Sequence, residues 1–140
     1  MSQSDSTFPG NIAHFLIADE AQESTDYRRV LWTGGHTQIV TMTLQPGEEI
    51  GEEVHEHGDQ ILTFVAGAGE AVLEGHTHPV EAGDQCAVPA GALHNFRNTG
   101  QEPLRLWTVY SPPEHAEGTV HVTKAEADAA EESGEDHPPA

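Results

Sequence analysis

Gly83-Asp84-Gln85-Cys86-Ala87-Val88-Pro89-Ala90-Gly91-Ala92-Leu93-His94-Asn95-Phe96-Arg97-Asn98 is the stretch on which the reading of this chain turns. It opens on a Gly-Asp turn, runs through the short apolar segment Gln85–Val88 and breaks sharply at Pro89-Ala90-Gly91. A Pro-x-Gly turn between two short segments sends the second back across the first. It therefore aims His94 into whatever the fold encloses.

Upstream lies a second polar stretch, Gly51-Glu52-Glu53-Val54-His55-Glu56-His57-Gly58-Asp59-Gln60, which runs on to Gly67. On a strand, side chains alternate between faces. A His-x-His pair there puts both imidazoles on one side, about 6.5–7 Å apart at the backbone. That spacing suits two neighbouring ligands of one metal ion. A twin pair, His76-Thr77-His78, follows the Gly75 turn and reads as solvent-facing. What separates His55 and His57 from their twin is the third histidine, His94.

Further out, short runs rich in Val, Ile, Leu, Thr and aromatics recur at Arg29–Trp32, Thr37–Leu44, Ile61–Ala66, Glu70–Leu73, Gln85–Val88 and Leu104–Tyr110. Gly34-Gly35, Pro46-Gly47, Gly75, Ala82-Gly83 and Pro89-Ala90-Gly91 punctuate them. Short strands at this spacing, with no long helical period, predict an all-β barrel or sandwich. Thr37–Leu44 alternates clearly: Gln38, Val40, Met42 and Leu44 share one face, Ile39, Thr41 and Thr43 the other. The expected organisation is a disordered polar arm over 1–10, one barrel domain over 11–113 and an acidic extension over 114–140. Asn11–Ala21 is read as either a short strand or a helical turn. In the extension, Thr123 with Glu126 three residues later reads as a helix start, and Ser133–Ala140 as disordered.

At this point the chain resembles a known family. Gly83, Pro89, Gly91, His94 and Asn98 occupy every defined position of the second cupin motif, G-x5-P-x-G-x2-H-x3-N. His55, His57 and Gly67 resemble the first, G-x5-H-x-H-x3,4-E-x6-G. The resemblance covers roughly Thr37–Tyr110. It implies a conical double-stranded β-helix, a jelly-roll barrel of the RmlC-like kind, with one divalent transition metal held by His55, His57 and His94. It also implies pairing through the outer sheet, hence a homodimer. Gln60 stands where the motif has glutamate, follows His57 too closely, and the Gly47-to-His55 spacing is longer than the motif's. The fourth ligand is thus open between Gln60, Asp59 and water. Gln60 is favoured because its spacing to Gly67 holds and because it shares a face with Leu62 and Phe64. Three imidazoles and an oxygen accept Mn, Fe, Co, Ni, Cu or Zn alike. An amide in place of a carboxylate leaves such a site more positive and more receptive to anions. Gln38, Met42, Phe64 and Trp107 are expected to line the cavity.

Charge limits the partners. The 140 residues carry 24 acids against five lysines and arginines, a formal net charge of −19. Such a surface repels phosphate backbones and anionic lipid, which argues against nucleic acid and membrane partners. It suits solvation in concentrated salt, where dissolved ions screen the repulsion between the acids. Met1–Thr7 lacks the basic and apolar regions of a signal peptide and no apolar run reaches membrane-span length, so a cytoplasmic protein is expected. Cys86 reads as a small packed hydrophobe, and His115 and His121 as surface-loop residues. Arg28 and Arg29 read as solvated, or as a rim site for an anionic substrate. Two functions stay open: a mononuclear metalloenzyme of dioxygenase or isomerase type acting on a small organic molecule, or a protein that binds a metal or small ligand without turnover.

Overall fold

A computed structural model describes residues 10–139. Among them the chain forms a short helix α1 (Ile17–Glu23), then strands β1 (Arg28–Thr33), β2 (Gln38–Leu44), β3 (Asp59–Ala66), β4 (Ala68–Leu73), β5 (His76–Glu81), β6 (Gln85–Val88), β7 (His94–Arg97), β8 (Leu104–Ser111) and β9 (Val120–His121). A second helix, α2 (Lys124–Ser133), follows. The strands make a six-stranded sheet in the order β6-β3-β8-β2-β1-β9 and a three-stranded sheet in the order β5-β4-β7. Strand neighbours run antiparallel throughout. The expected jelly roll is the observed fold.

Alternation on β2, β3 and β8 builds the interior as rungs. Leu44 pairs with Leu104, Met42 with Leu106 and Leu106 with Phe64, and all five are essentially inaccessible. Val40 pairs with Thr108 and Thr108 with Leu62. The last rung is polar: Gln38 opposite Tyr110 opposite Gln60. One end of the barrel is therefore sealed by hydrocarbon, and the other presents amides and a phenol to the loops that carry the histidines. Phe96 and Ala71, paired across β7 and β4, close the facing sheet over the apolar end.

The glycine at the end of the first motif has a steric reason. Gly67 has φ +85°, and a Cβ there would stand 2.5 Å from the Pro103 carbonyl oxygen, so only glycine lets the β3–β4 connection pass. Asn98, the last residue of the second motif, is buried. Its amide donates to the Leu44 and Glu102 carbonyls at 2.8 and 2.9 Å and accepts from Gly100 N–H. It ties strand ends together and has no place among metal ligands.

Several expectations need correction. Trp107 lies on the opposite face of β8 from Leu106 and Thr108, half-buried on the outside of the sheet, because its odd register points it away from the interior. Gln38, Met42 and Phe64 do point inward. The undecided N-terminal segment is helical at α1, which packs on the outside of β2, β3 and β8. There Thr41 and Thr43 are buried, Thr43 donating to the Ser24 carbonyl, so the chain itself covers part of the face assigned to a partner. The row Ile39–Val109–Ile61 beside it stays partly open, with Ile61 38% exposed. Helix α2 begins as expected, with a capping box between Thr123 and Glu126. The chain beyond it folds back instead of trailing away: Asp136 is buried against His115 and Arg28. Of the expected disordered arm, residues 1–9 lie outside the described residues, as does Ala140 in the tail.

Candidate metal centre

The Pro89-Ala90-Gly91 turn docks on the first motif through main chain. Gly91 N–H donates to the His55 carbonyl at 2.9 Å, and Ala90 N–H to Asp59 Oδ1 at 2.9 Å. Residues 49–53 then run antiparallel beside β7. Ile50 N–H meets the Phe96 carbonyl, and Glu53 and His94 exchange both backbone hydrogen bonds at 2.9 and 3.0 Å. Residues directly opposite in an antiparallel pair project to the same face, so this bridge puts the Glu53 and His94 side chains side by side.

The donors gather in two pairs. His94 Nε2 lies 3.1 Å from Gln60 Oε1, and His55 Nε2 lies 3.6 Å from Glu53 Oε2. The two imidazole rings are 5.2 Å apart between centroids. His94 Nδ1 sits 2.9 Å from the Ala92 carbonyl, an acceptor only, so that nitrogen carries the proton. Burial, ahead of the opposing effect of that hydrogen bond, lowers the pKa of His94 and keeps the ring neutral. Gln60 donates its amide N–H to Thr108 Oγ1 at 3.1 Å. Two lone pairs, His94 Nε2 and Gln60 Oε1, therefore face each other in the interior. A cation between them removes the conflict, as does reversal of the amide. His55 Nε2 is likewise buried and makes no hydrogen bond.

His55 is set by carboxylates. Its Nδ1 lies 3.2 Å from Glu114 Oε1, and this hydrogen bond, ahead of opposing desolvation, raises its pKa. Burial raises the pKa of Glu53 as well. A carboxylate holding one ring nitrogen fixes which nitrogen is offered to a metal. Two ligands about 2.1 Å from one ion stand roughly 3.0–3.4 Å apart; the His94–Gln60 pair has that spacing, and the His55–Glu53 pair, at 3.6 Å, is just outside it. Among the described residues no three His, Cys, Asp or Glu side chains are already assembled as a metal site. Glu53, His55 and His94 do not by themselves form such a group as they stand.

The structure brings His55, Gln60 and His94 together but leaves the other two candidates outside. Residues 54–58 are coil and turn, not strand, so the alternation that would set His57 beside His55 does not operate, and His57 is exposed. Asp59 faces outward at the start of β3, its carboxylate taken by the Ala90 N–H. Glu53 was missed, yet a spacing signal for it exists. Gly47-x5-Glu53-x-His55-x4-Gln60-x6-Gly67 meets the spacing of the first motif throughout, with Glu53 at the first histidine position and Gln60 at the glutamate position. The long Gly47-to-His55 gap and the short His57-to-Gln60 gap both vanish in that frame.

His115 and His121, expected on the surface, are buried, as is Arg28; Arg29 is the exposed partner of Asp26. His76 and His78 are exposed on β5 as expected. Cys86 is half-buried against the core, and burial raises its thiol pKa. A cleft of about 550 Å3 opens beside the centre, lined by Val54, His55, His57, Pro112, Pro113 and Pro139 among others.

Two facing antiparallel sheets closed around a polar rung, with a histidine delivered by a Pro-x-Gly turn, define a double-stranded β-helix of the RmlC-like class. The chain belongs to the cupin family: residues 40–110 match the cupin domain. It is 42% identical over 117 residues to the uncharacterized protein YrkC of Bacillus subtilis, covering 79% of this chain and 63% of that one. It thus spans less than two thirds of that relative. A crystal structure from Bacillus halodurans superposes with TM-score 0.81 at 41% identity, covering 89% of this chain and 96% of the other. A predicted oxalate decarboxylase of Thermotoga maritima gives 0.54 at 29% identity, over 56% and 68% of the two chains. No helix among the described residues is long and apolar enough to cross a membrane.

Proposed function

We propose that this cupin holds one divalent transition metal between Glu53, His55, Gln60 and His94, and uses it to bind and convert a small organic molecule by dioxygenase- or isomerase-type chemistry. The observation that carries the proposal is the meeting of lone pairs at His94 Nε2 and Gln60 Oε1, 3.1 Å apart, beside the buried His55 Nε2, which makes no hydrogen bond. Burying acceptors against one another is costly, and a cation turns the cost into ligation. Two imidazoles, an amide oxygen and a carboxylate suit Mn, Fe, Co, Ni, Cu or Zn. The carboxylate absent at position 60 is supplied at Glu53, so the site is less attractive to anions than an amide at Gln60 alone implies.

When bound, the metal supplies Lewis acidity toward a substrate carbonyl or hydroxyl, or a site for dioxygen. The chain's own residues do the rest. Glu114 holds His55 through Nδ1, the Ala92 carbonyl holds the His94 tautomer, and the proline-lined cleft admits an organic body while limiting water. The likeness to a predicted oxalate decarboxylase supports a small substrate. Elemental analysis of the purified protein tests the site. We expect about one metal per chain, lost in His94→Ala, weakened in Glu53→Gln and retained in His57→Ala. Full occupancy in His94→Ala overturns the site, and loss in His57→Ala with retention in Glu53→Gln restores the His-x-His pair. A substrate screen after Mn or Fe reconstitution separates turnover from binding alone.

A further inference from the structure

The cleft of about 550 Å3 beside the metal centre has walls of two chemical kinds. One is apolar: Val54 ahead of β3, Pro112 and Pro113 after β8, and Pro138 and Pro139 from the chain beyond α2. Val54 is 44% exposed, although the fold buries most of its large apolar side chains. Open apolar surface in a concavity suits the hydrocarbon body of a ligand. The other kind is acidic. Glu56 and Glu114 line the cleft, beside the imidazoles of His55 and His57, and no lysine or arginine does. Glu56 is exposed. The Glu114 side chain is 37% exposed, with Oε1 held by His55 Nδ1 at 3.2 Å. A carboxylate has about four lone-pair sites, so Glu114 keeps acceptor capacity toward the cleft.

The cations that could clasp an anionic ligand are committed elsewhere. The chain has five lysines and arginines in all. Arg28 faces Asp136, Arg29 faces Asp26, Arg97 faces Glu70 and Lys124 faces Asp128. Arg105 donates to the Gln22 and Ser24 carbonyls. A bound divalent metal does not reverse the balance. Glu53, Glu56 and Glu114 set three negative charges around its two positive ones, and the net charge of −19 acts in the same sense at longer range. A carboxylate or phosphate ester is therefore repelled with nothing to hold it. An ammonium group finds acceptors beside an apolar surface.

We infer that the molecule this cleft takes is a small organic amine, its ammonium group against Glu56 and Glu114 and its hydrocarbon body on Val54 and the prolines. The inference rests on the proposed metal centre as the place of conversion and names the substrate class there. Three probes with one apolar body and different charge test it: cyclopentylamine, cyclopentanol and sodium cyclopentanecarboxylate. Each is titrated into full-length protein, metal-loaded and chelator-treated, at about pH 8.5, above the ordinary imidazole range. Binding is read on the carbon-bound ring protons of His55 and His57. Expected is a saturable shift by the amine in the millimolar range, with the alcohol about tenfold weaker and the carboxylate weaker still. An exposed ion pair contributes up to about fivefold, so Glu56→Gln should weaken the amine by about that factor and leave the alcohol unchanged. Val54→Ser should weaken amine and alcohol alike. Glu132→Gln removes an exposed charge on α2 that does not line the cleft; it should change neither, which separates a site from diffuse attraction to an acidic surface. Alcohol or carboxylate binding as tightly as the amine overturns the inference, as does equal weakening by Glu56→Gln and Glu132→Gln. Its failure is distinct from that of the centre. Protein that holds its metal but takes no amine loses this inference and keeps the centre; chelated protein that takes the amine keeps the inference whatever elemental analysis finds.

Discussion

Replacing Asp136 with asparagine removes one charge from the best-connected residue of the C-terminal extension. Its carboxylate takes the His115 ring at 2.8 Å and the Ala116 N–H at 3.0 Å, with Arg28 at 3.8 Å. Burial by itself raises the carboxyl pKa, but these partners outweigh it and bring it from an ordinary 3.8 to about 2. At about 1.36 kcal/mol per unit, the charged form contributes about 2 kcal/mol to folding. For a chain of this size that equals roughly 6–10 °C in Tm. The sign follows from the depressed value: the contribution is complete above the unfolded pKa and is lost as pH falls through the folded one. Thermal unfolding of wild type and Asp136→Asn at fixed salt should therefore differ by this amount near neutrality. The gap should shrink to about half by roughly pH 3 and close toward pH 2. Equal melting temperatures at neutral pH, or a gap unchanged down to about pH 3, would refute the anchoring of the extension by this carboxylate.

Other outcomes follow from the same geometry. Gln60→Glu, nearly isosteric, should tighten divalent-metal binding by about tenfold and weaken azide, read by calorimetric titration; unchanged affinity would remove Gln60 from the ligand set. The partly open row Ile39–Val109–Ile61 should hold a homodimer, so light scattering should give a dimer mass for wild type and a monomer for Ile61→Asp. A wild-type monomer would end that expectation. With a net charge of −19, Tm should rise between dilute buffer and molar KCl as the acids are screened; a melting temperature indifferent to salt would leave the surface charge unexplained.

The barrel was legible because short strand-like runs recur between Gly and Pro turns and β2 alternates clearly; on β8 the apolar Trp107 and Val109 of the outer face hid which side is inward. β5 escaped notice for an equally local reason: His76, Thr77, His78 and Pro79 are exposed on a sheet edge, where neither hydrophobicity nor an N–H at Pro79 is required. The candidate site was half legible. His94 is dictated by its turn and Gln60 by its face. The first motif was read from its histidines, and the chemically obvious His57 displaced Glu53, although spacing favoured the latter. The buried group at Arg28, His115 and Asp136 had no local signal. Its members are separated by 87 and 21 positions, and polar residues become interior ones only when the chain beyond α2 folds back.

The reciprocal main-chain pairing of Glu53 with His94 has a consequence for how such a centre changes over time. The separation of these positions is fixed by peptide groups, which every substitution except proline preserves. Donor identity at 53 is thereby uncoupled from donor placement: imidazole, carboxylate or amide can be exchanged there while the anchor point stays where the ladder holds it. On the proposed reading of the site, a scaffold built this way can drift in metal preference and reactivity by single codon changes, without first having to solve again the problem of where its ligands stand.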